Sequence, residues 1–416
     1  MPFTSRYLII LTILLMLVSV VNIADKELLA PVAEVVRAEL GMSDTQLGAI
    51  RSAVFLAALV SQLFWGPLSD RWVRKNVITL GAIIWSALTW LTAFVGNFPQ
   101  LLSARASMSF AEGCFNPSSF ALITDSAPKE KHGLLIGLMS LTYPVGTAAA
   151  LIVASAIGTA QWRQPFVIFG IIGIALGVLV FFIVREPPRG GMAEYGGKFS
   201  LDAMRRVWTT PSALLGFALD TAQATINWSL AFWAPIYFTR YRIAPNADAA
   251  ALALLPAILG FVLGALIGGI AIDRLRQRTE RAPAIVALIA MIGGLGAAFI
   301  TFNLFEMTSV MLAGFVLGLV GYMAMPAVNL VFFAVVPPET KASTIATSNV
   351  ILNLVIAIIS FLIGVVSDAA ELRVAFGGVV LAMFAVGIGA SLALLRTLPR
   401  DIARQRELIE ARVKRD

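Results

Sequence analysis

Runs of about 20 predominantly apolar residues, separated by short polar loops, recur along almost the whole chain to about residue 396. A hydrocarbon core of about 30 Å, crossed at about 1.5 Å per residue, takes about 20 residues of helix. Lipid offers no partner for backbone N–H and C=O groups, so runs of this length must bond internally as helices. Spans are expected at roughly 7–30, 45–69, 76–96, 98–124, 133–159, 163–184, 211–240, 249–271, 283–303, 306–334, 343–368 and 372–396, giving an all-α membrane protein with twelve transmembrane helices. Composition agrees: the chain is 59% hydrophobic and 13% charged, about half the charge of a soluble chain. These features exclude a soluble enzyme, a nucleic-acid-binding domain and a secreted disulfide scaffold. Cys114 is the sole cysteine, so no internal disulfide can form, and the first apolar run is too long for a signal-peptide core.

The net charge of +7 reflects topology. With both termini inside, most of the 31 Lys and Arg fall on the cytoplasmic side: at Arg6, at Arg71, Arg74 and Lys75, at Lys129 and Lys131, between Arg185 and Arg206, between Arg274 and Arg281, at Lys341, and from Arg396 to Arg415. The opposite face receives Arg37, Arg51, Arg163, Arg240, Arg242 and Arg373. The positive-inside rule therefore predicts an N-in, C-in chain with an even number of spans. The basic balance follows from this orientation, and nucleic acid is not expected as a partner.

The longest polar interruption, near 185–210, separates six spans from six. It is expected to be a cytoplasmic linker with a short amphipathic helix, in which Ser200 is an N-cap and Leu201, Met204 and Trp208 recur at helical spacing. The domains are accordingly 1–184, a six-helix bundle; 185–210, the linker; 211–396, a second six-helix bundle; and 397–416, a basic cytoplasmic tail. The bundles repeat one another: Gly66-Pro67-Leu68-Ser69-Asp70-Arg71 has a counterpart in Gly269-Ile270-Ala271-Ile272-Asp273-Arg274, and Trp162-Arg163-Gln164-Pro165-Phe166 in Leu372-Arg373-Val374-Ala375-Phe376. A parallel repeat of this kind predicts a pathway along the interface of the halves. Glycines four apart (Gly260, Gly264, Gly268; Gly133, Gly137; Gly173, Gly177; Gly314, Gly318) are expected to let helix backbones approach within the molecule rather than to drive dimerisation.

Catalytic, nucleotide and metal motifs are absent. His132 is the only histidine, so neither a His-based metal site nor a triad can be assembled, and no cofactor is expected. What remains is a small set of charges inside the spans: Asp25 and Lys26 in the first, Arg105 and Glu112 in the fourth, and Asp220 in the seventh. Such charges are costly in lipid and normally face a cavity or a partner. Arg105 and Glu112, seven apart, share a helix face about 10 Å apart along the axis, and an Asp25–Arg105 contact is expected from the depths of the two residues. Burial favours the neutral carboxyl and a nearby arginine the ionised one, so a conformational change that alters either environment can load and release a proton. The alternative is an ion-pair network that only locks the first and fourth helices. At the end of the second span, Asp70, Arg71, Arg74 and Lys75 suit a latch in which a carboxylate meets the positive end of a neighbouring helix.

Gly66-Pro67-Leu68-Ser69-Asp70-Arg71-Trp72-Val73-Arg74-Lys75 resembles the loop motif of the major facilitator superfamily, G-x-L-x-D-R-x-G-R-K, with Val73 in place of glycine; Asp273 and Arg274 stand in its second copy. Asn22-Ile23-Ala24-Asp25-Lys26 is similar to N-x-x-D-R, and Arg105-x-x-x-Ser109-x-x-Glu112-Gly113 to R-x-x-x-G-x-x-E-A, patterns of the spinster-like transporters and the organic-anion symporters. Leu230-Ala231-Phe232-Trp233-Ala234-Pro235 and Val336-Pro337-Pro338 look more like spinster proteins. The resemblance implies proton-coupled, alternating-access transport of an amphipathic anionic lipid such as a lysophospholipid or sphingolipid. It also implies that Asp25, Arg105 and Glu112 are the coupling and headgroup-binding set; with the charges and loops read above, Asp25 and Glu112 are expected in proton coupling, Arg105, Lys26 and Asp220 in substrate binding, and Gly66, Asp70, Arg71, Arg74, Lys75, Asp273 and Arg274 in gating. The expected partners are a small-molecule or lysolipid substrate, protons and the bilayer of a bacterial inner membrane, around a monomer. Proton-linked symport of a small organic anion, drug/proton antiport, and a non-transporting membrane sensor or scaffold are the competing readings.

Overall fold

A computed structural model describes residues 4–128, 131–157, 159–187, 205, 207–241, 243–337 and 340–413. The described residues are helical apart from short turns, with no strand among them. In chain order the α-helices are α1 (Ser5–Glu27), α2 (Leu29–Glu39), α3 (Asp44–Arg71), α4 (Arg74–Thr92), α5 (Phe98–Glu112), α6 (Phe115–Ser126), α7 (His132–Ser140), α8 (Thr142–Ile157), α9 (Arg163–Ile183), α10 (Pro211–Arg240), α11 (Ala247–Leu252), α12 (Leu255–Arg276), α13 (Ala282–Thr301), α14 (Met307–Tyr322), α15 (Met325–Val335), α16 (Lys341–Ala369) and α17 (Leu372–Val413). Ser200, Leu201 and Met204 lie outside the described residues.

Local signals explain where these helices start and stop. Ser43 and Gln46 form a reciprocal capping box at the start of α3, and Asn97 caps α5 by accepting from the Gln100 N–H. Between α2 and α3, Gly41 has φ +61°, and the Met42 N–H reaches back to the Arg37 carbonyl at 2.9 Å, the six-to-one closure that favours glycine at a helix end. Several expected spans are broken into two helices, each break lying near a proline that cannot donate: Pro31 for α1 and α2, Pro117 for α5 and α6, and Pro326 for α14 and α15. Pro117 and Pro326 occupy corresponding places in the two copies of the repeat.

Nine stretches among the described residues are long and apolar enough to cross a membrane. The expected spans near 76–96, 98–124 and 211–240 fall below that apolarity. These three carry buried polar groups: Thr79, Ser86, Thr89 and Thr92; Arg105, Ser109, Glu112, Ser118 and Ser119; and Thr221, Gln223, Thr225 and Ser229. Polar residues turned inward dilute the hydropathy of a helix without exposing it to water.

The chain divides into two compact units. The first comprises Met1–Glu194, Ala231–Leu252 and Ser360–Ala370; the second comprises Tyr195–Leu230, Ala253–Ile359 and Glu371–Asp416. Within the first, α4 packs along α9, α3 along α5 and α1 along α8, around a core that includes Leu11, Leu15, Trp85 and Phe115, with Trp85 and Phe115 edge to face at 5.9 Å. Cys114 is fully buried there, its thiol directed at the Val77 carbonyl. Within the second, α12 packs along α14, and α13 against both α14 and α17.

Glycines set several of these approaches. A Cβ at Gly260, Gly264 or Gly268 would strike backbone of Phe315, Leu319 or Met323, and one at Gly318 would strike the Ala257 carbonyl. Gly173 sits against Ser86, and Gly177 against Ala82 and Ile83. By contrast, Gly137 has open space around it and Gly314 only an ordinary contact, so spacing alone does not identify every glycine that packs.

Candidate functional site

The charges expected inside the spans converge in the first unit where α1 gives way to α2. Asp25, Arg105 and Glu112 are buried, while the Lys26 side chain keeps 25% of its exposure. Arg105 does not meet the Asp25 side chain. Its Nη2 donates to the backbone carbonyls of Asp25 at 2.7 Å and Lys26 at 3.0 Å, and its guanidinium lies 5.8 Å from the centre of the Phe166 ring. The physical reason is the helix end: the last carbonyls of α1 carry the negative end of its dipole, and the two N–H groups of one guanidinium nitrogen can bond two of them at once. Glu112 pairs with Lys26, Nζ to Oε2 3.3 Å, so the two carboxylates and two cations of the expected set are arranged differently from the simple Asp25–Arg105 pair.

This arrangement leaves the buried Asp25 carboxyl with no bonded cation among the described residues; the polar group beside it is the Thr89 hydroxyl of α4. Asn22 Nδ2, one turn back on α1, is buried with no hydrogen-bond partner among the described residues. Each buried polar group left unmatched costs about 1–3 kcal/mol, and more when charged, so native interiors hold few of them. A cluster of buried polar atoms beside two cations is suited to taking up a proton or a polar ligand. Its walls are fixed: Ser109, standing where the resembled pattern has glycine, donates to the Val54 carbonyl at 2.8 Å, and Ser61 and Trp65 both donate to the Phe110 carbonyl.

A second buried pair lies in the same unit. Arg51 Nη2 and Glu27 Oε1 are 3.2 Å apart with side chains 4% and 2% exposed, and the guanidinium lies over the rings of Phe55 and Phe232 at 5.2 and 5.0 Å. Sequence reasoning put Arg51 on the outer face and passed over Glu27. The signal was present in Glu27 following Lys26 directly, inside an apolar run.

Further toward the expected outer side, Arg240 at the end of α10 bonds both Glu34 and Asp44. Ser367 donates to Asp44, and the Asp368 carboxylate accepts the first two backbone N–H groups of α3, from Asp44 at 3.0 Å and Thr45 at 2.8 Å. Arg163 pairs with Glu39. Of the arginines expected on this side, Arg37, Arg163 and Arg240 therefore sit beside carboxylates, while Arg373 donates to Asn303 and lies over the Phe305 ring.

At the other end of α3, only the backbone of Gly66 and Asp70 is described. Arg71 is exposed. Arg74 bonds Asp125 of α6, and Lys75 lies 5.0 Å from the centre of the Phe181 ring. The carboxylate that meets a helix start here is Glu186, accepting from the Arg74 and Lys75 backbone N–H groups at 3.2 and 3.0 Å. Asp125 and Glu186 were not singled out from sequence, since one acid near a loop does not reveal its partner.

In the second unit, Asp220 accepts a hydrogen bond from Ser348 of α16. On α10, Thr221, Thr225 and Ser229 recur every four residues and thus along one face, each buried with no hydrogen-bond partner for its hydroxyl among the described residues, as is Gln223 Oε1. Asp273 and Arg274 are exposed at the end of α12.

The sequence matches the profile of the Major Facilitator Superfamily over residues 15–305. It is 23% identical over 296 residues to the sphingosine-1-phosphate transporter SPNS2 of Danio rerio, covering 66% of this chain and 58% of that protein. It is 24% identical over 381 residues to protein spinster homolog 1 of Homo sapiens, covering 84% and 71%. The crystal structure of a bacterial homolog to the human lysosomal transporter spinster, in an inward-facing and occupied conformation, superposes with a TM-score of 0.82 at 20% identity, covering 96% of this chain and 99% of that one.

Proposed function

Because the chain belongs to the major facilitator superfamily, we propose that this integral, multi-pass membrane transporter moves an amphipathic anionic lipid, such as a lysophospholipid or sphingolipid, coupled to protons. The proposed cycle is alternating access, with the halves 1–184 and 211–396 rocking about a substrate site. The observation that supports proton coupling is the buried Asp25 carboxyl, which meets the Thr89 hydroxyl rather than a cation, next to the Lys26–Glu112 pair.

Asp25 can accept a proton without breaking an ion pair. Protonation of Glu112 cancels its attraction for Lys26 and frees a partly exposed ammonium group. Arg105, held by two carbonyls, stays in place and keeps a positive potential for the anionic headgroup. Proton uptake and headgroup binding are thereby linked through Lys26, with Asp220 a further polar contact for the substrate. The lipid class is supported by the similarity to SPNS2 of Danio rerio, a sphingosine-1-phosphate transporter. Asp70, Arg71, Arg74 and Lys75, with Gly66 at the close of α3, and Asp273 with Arg274 in the second copy, gate the cytoplasmic ends of the helices; the Arg74–Asp125 pair supports such a contact.

Purified protein in liposomes with an imposed proton gradient tests this reading. Lysophospholipid flux is expected to rise with the gradient, and Glu112→Gln and Asp25→Asn are expected to abolish that dependence. Gradient-driven flux unchanged in Glu112→Gln would remove Glu112 from the coupling site. Competition by small carboxylates but not by lysophospholipid would move the substrate to the small organic anions.

A further inference from the structure

The second unit holds a cavity of about 340 Å³ bounded by the end of α12, the turn into α13, the end of α15, the first residue of α16 and the α17 extension. This volume falls within the roughly 300–1,000 Å³ of pockets that take small molecules. Its lining has two chemically opposed parts. Leu330, Phe333, Leu398 and Ile402 form an apolar wall, while Arg276, Lys341 and Arg406 supply cations against the single acid Glu280. The Lys341 ammonium lies 5.4 Å from the centre of the Phe333 ring, and that ring is 43% exposed.

Neither water nor hydrocarbon alone suits both parts. Water would solvate the cations but leave the apolar wall wet; an acyl chain would cover the wall but leave the cations unmatched. The Arg406–Glu280 pair, 2.7 Å apart with side chains 66% and 39% exposed, does not remove the excess positive charge, and pairs this exposed contribute little. Arg276, Lys341 and Arg406 all belong to the side that the positive-inside rule assigns to the cytoplasm, where anionic lipids draw basic pockets between helices.

We propose that this cavity is a binding site for an anionic phospholipid of the cytoplasmic leaflet. The phosphate lies among Arg276, Lys341 and Arg406, and the start of one acyl chain lies against Phe333 and Ile402. The lipid acts as a resident ligand rather than as cargo, joining the α17 extension to α12 and α15. The extension is already fixed on one side, where the Ser212 N–H donates to Asp401 at 2.9 Å and the Ser212 hydroxyl to Thr397 at 2.8 Å; the lipid completes the other. The site uses the orientation of the chain but not the identity of the transported substrate.

Full-length protein delipidated in detergent, then offered phosphatidylglycerol or phosphatidylethanolamine at equal concentration and examined by native mass spectrometry, tests the proposal. Phosphatidylglycerol is expected to be retained selectively and to raise the melting temperature. Lys341→Gln and Arg406→Gln are each expected to lower its retention on the order of fivefold, the worth of one basic residue near an anionic surface. Glu280→Gln is expected to raise retention, a change of sign that general loss of structure would not produce. Glycerol 3-phosphate and inorganic phosphate in large excess should not displace the lipid; displacement by either would make the site one for a free phosphate and overturn the lipid assignment. Equal retention of the two lipids, or the same retention in all three variants as in the wild type, would also overturn it. Gradient-driven flux on the same preparations separates the outcomes, because loss of this site leaves Glu112-dependent coupling in place.

Discussion

Arg105 shows how one residue can depend on a helix end rather than on an opposite charge. Its Nη2 donates to the Asp25 and Lys26 carbonyls while Nη1 faces the Met108 sulfur, an arrangement that a lysine cannot copy, because one ammonium nitrogen on a shorter stem cannot stand in both guanidinium nitrogen positions. Arg105→Lys is therefore expected to keep the charge, lose about 1–3 kcal/mol of interaction with one orphaned carbonyl, and reduce liposome transport at least tenfold. Transport at the wild-type rate would show that charge alone suffices. Asp25, Lys26, Arg105 and Glu112 were visible in the sequence because a charge within an apolar run is conspicuous. Their pairing was not, since free carbonyls at the close of α1 follow from a break at Leu28 that hydropathy does not mark. Glu27 was passed over and Arg51 assigned to the outer face for a related reason: both stand near the ends of apolar runs, where a charge reads as a loop residue until the structure closes the pair at 3.2 Å.

For whole helices, the decisive contacts are between backbones. The glycine spacing in α12 was legible as a smooth face, and three of those glycines do meet α14 directly, whereas Gly137, with equally suggestive spacing, meets nothing. Spacing defines a face of one helix but not which neighbour covers it. Gly264→Ala would drive a methyl group into the Leu319 carbonyl, and overpacking of this kind costs about 1–3 kcal/mol. Gly269→Ala, on the open side of the same helix, should be neutral to within about 0.5 kcal/mol. Thermal melting of the two purified variants in one detergent checks the contrast; equal melting temperatures would mean that α12 and α14 do not approach at this face. The proline breaks have the same character. Pro31, Pro117 and Pro326 were visible as residues, yet continuous spans were expected around them, because a proline near a helix start is tolerated and only the neighbouring helices decide whether the chain kinks or restarts.

On the scale of the molecule, the distribution of charge predicts how the chain lies in the bilayer. Basic residues with no carboxylate partner among the described residues, such as Arg71, gather on one side, while Arg37, Arg163 and Arg240 on the other sit beside Glu34, Glu39 and Asp44. Orientation responds chiefly to Lys and Arg in short loops, with Asp and Glu counting for little, so the larger number of Lys and Arg on the first side leads us to propose an N-in, C-in arrangement. The chain is well suited to a direct measurement. Cys114, its one cysteine, is fully buried, so an impermeant maleimide should leave the unmodified protein unlabelled in intact cells. Ala38 and Asp273 are both exposed. Ala38→Cys is expected to label in intact cells, and Asp273→Cys only after permeabilisation. The reverse pattern would invert the topology. It would also move the cavity bounded by α12, α15 and α17 to the opposite leaflet and remove the anionic surface on which the phospholipid assignment depends.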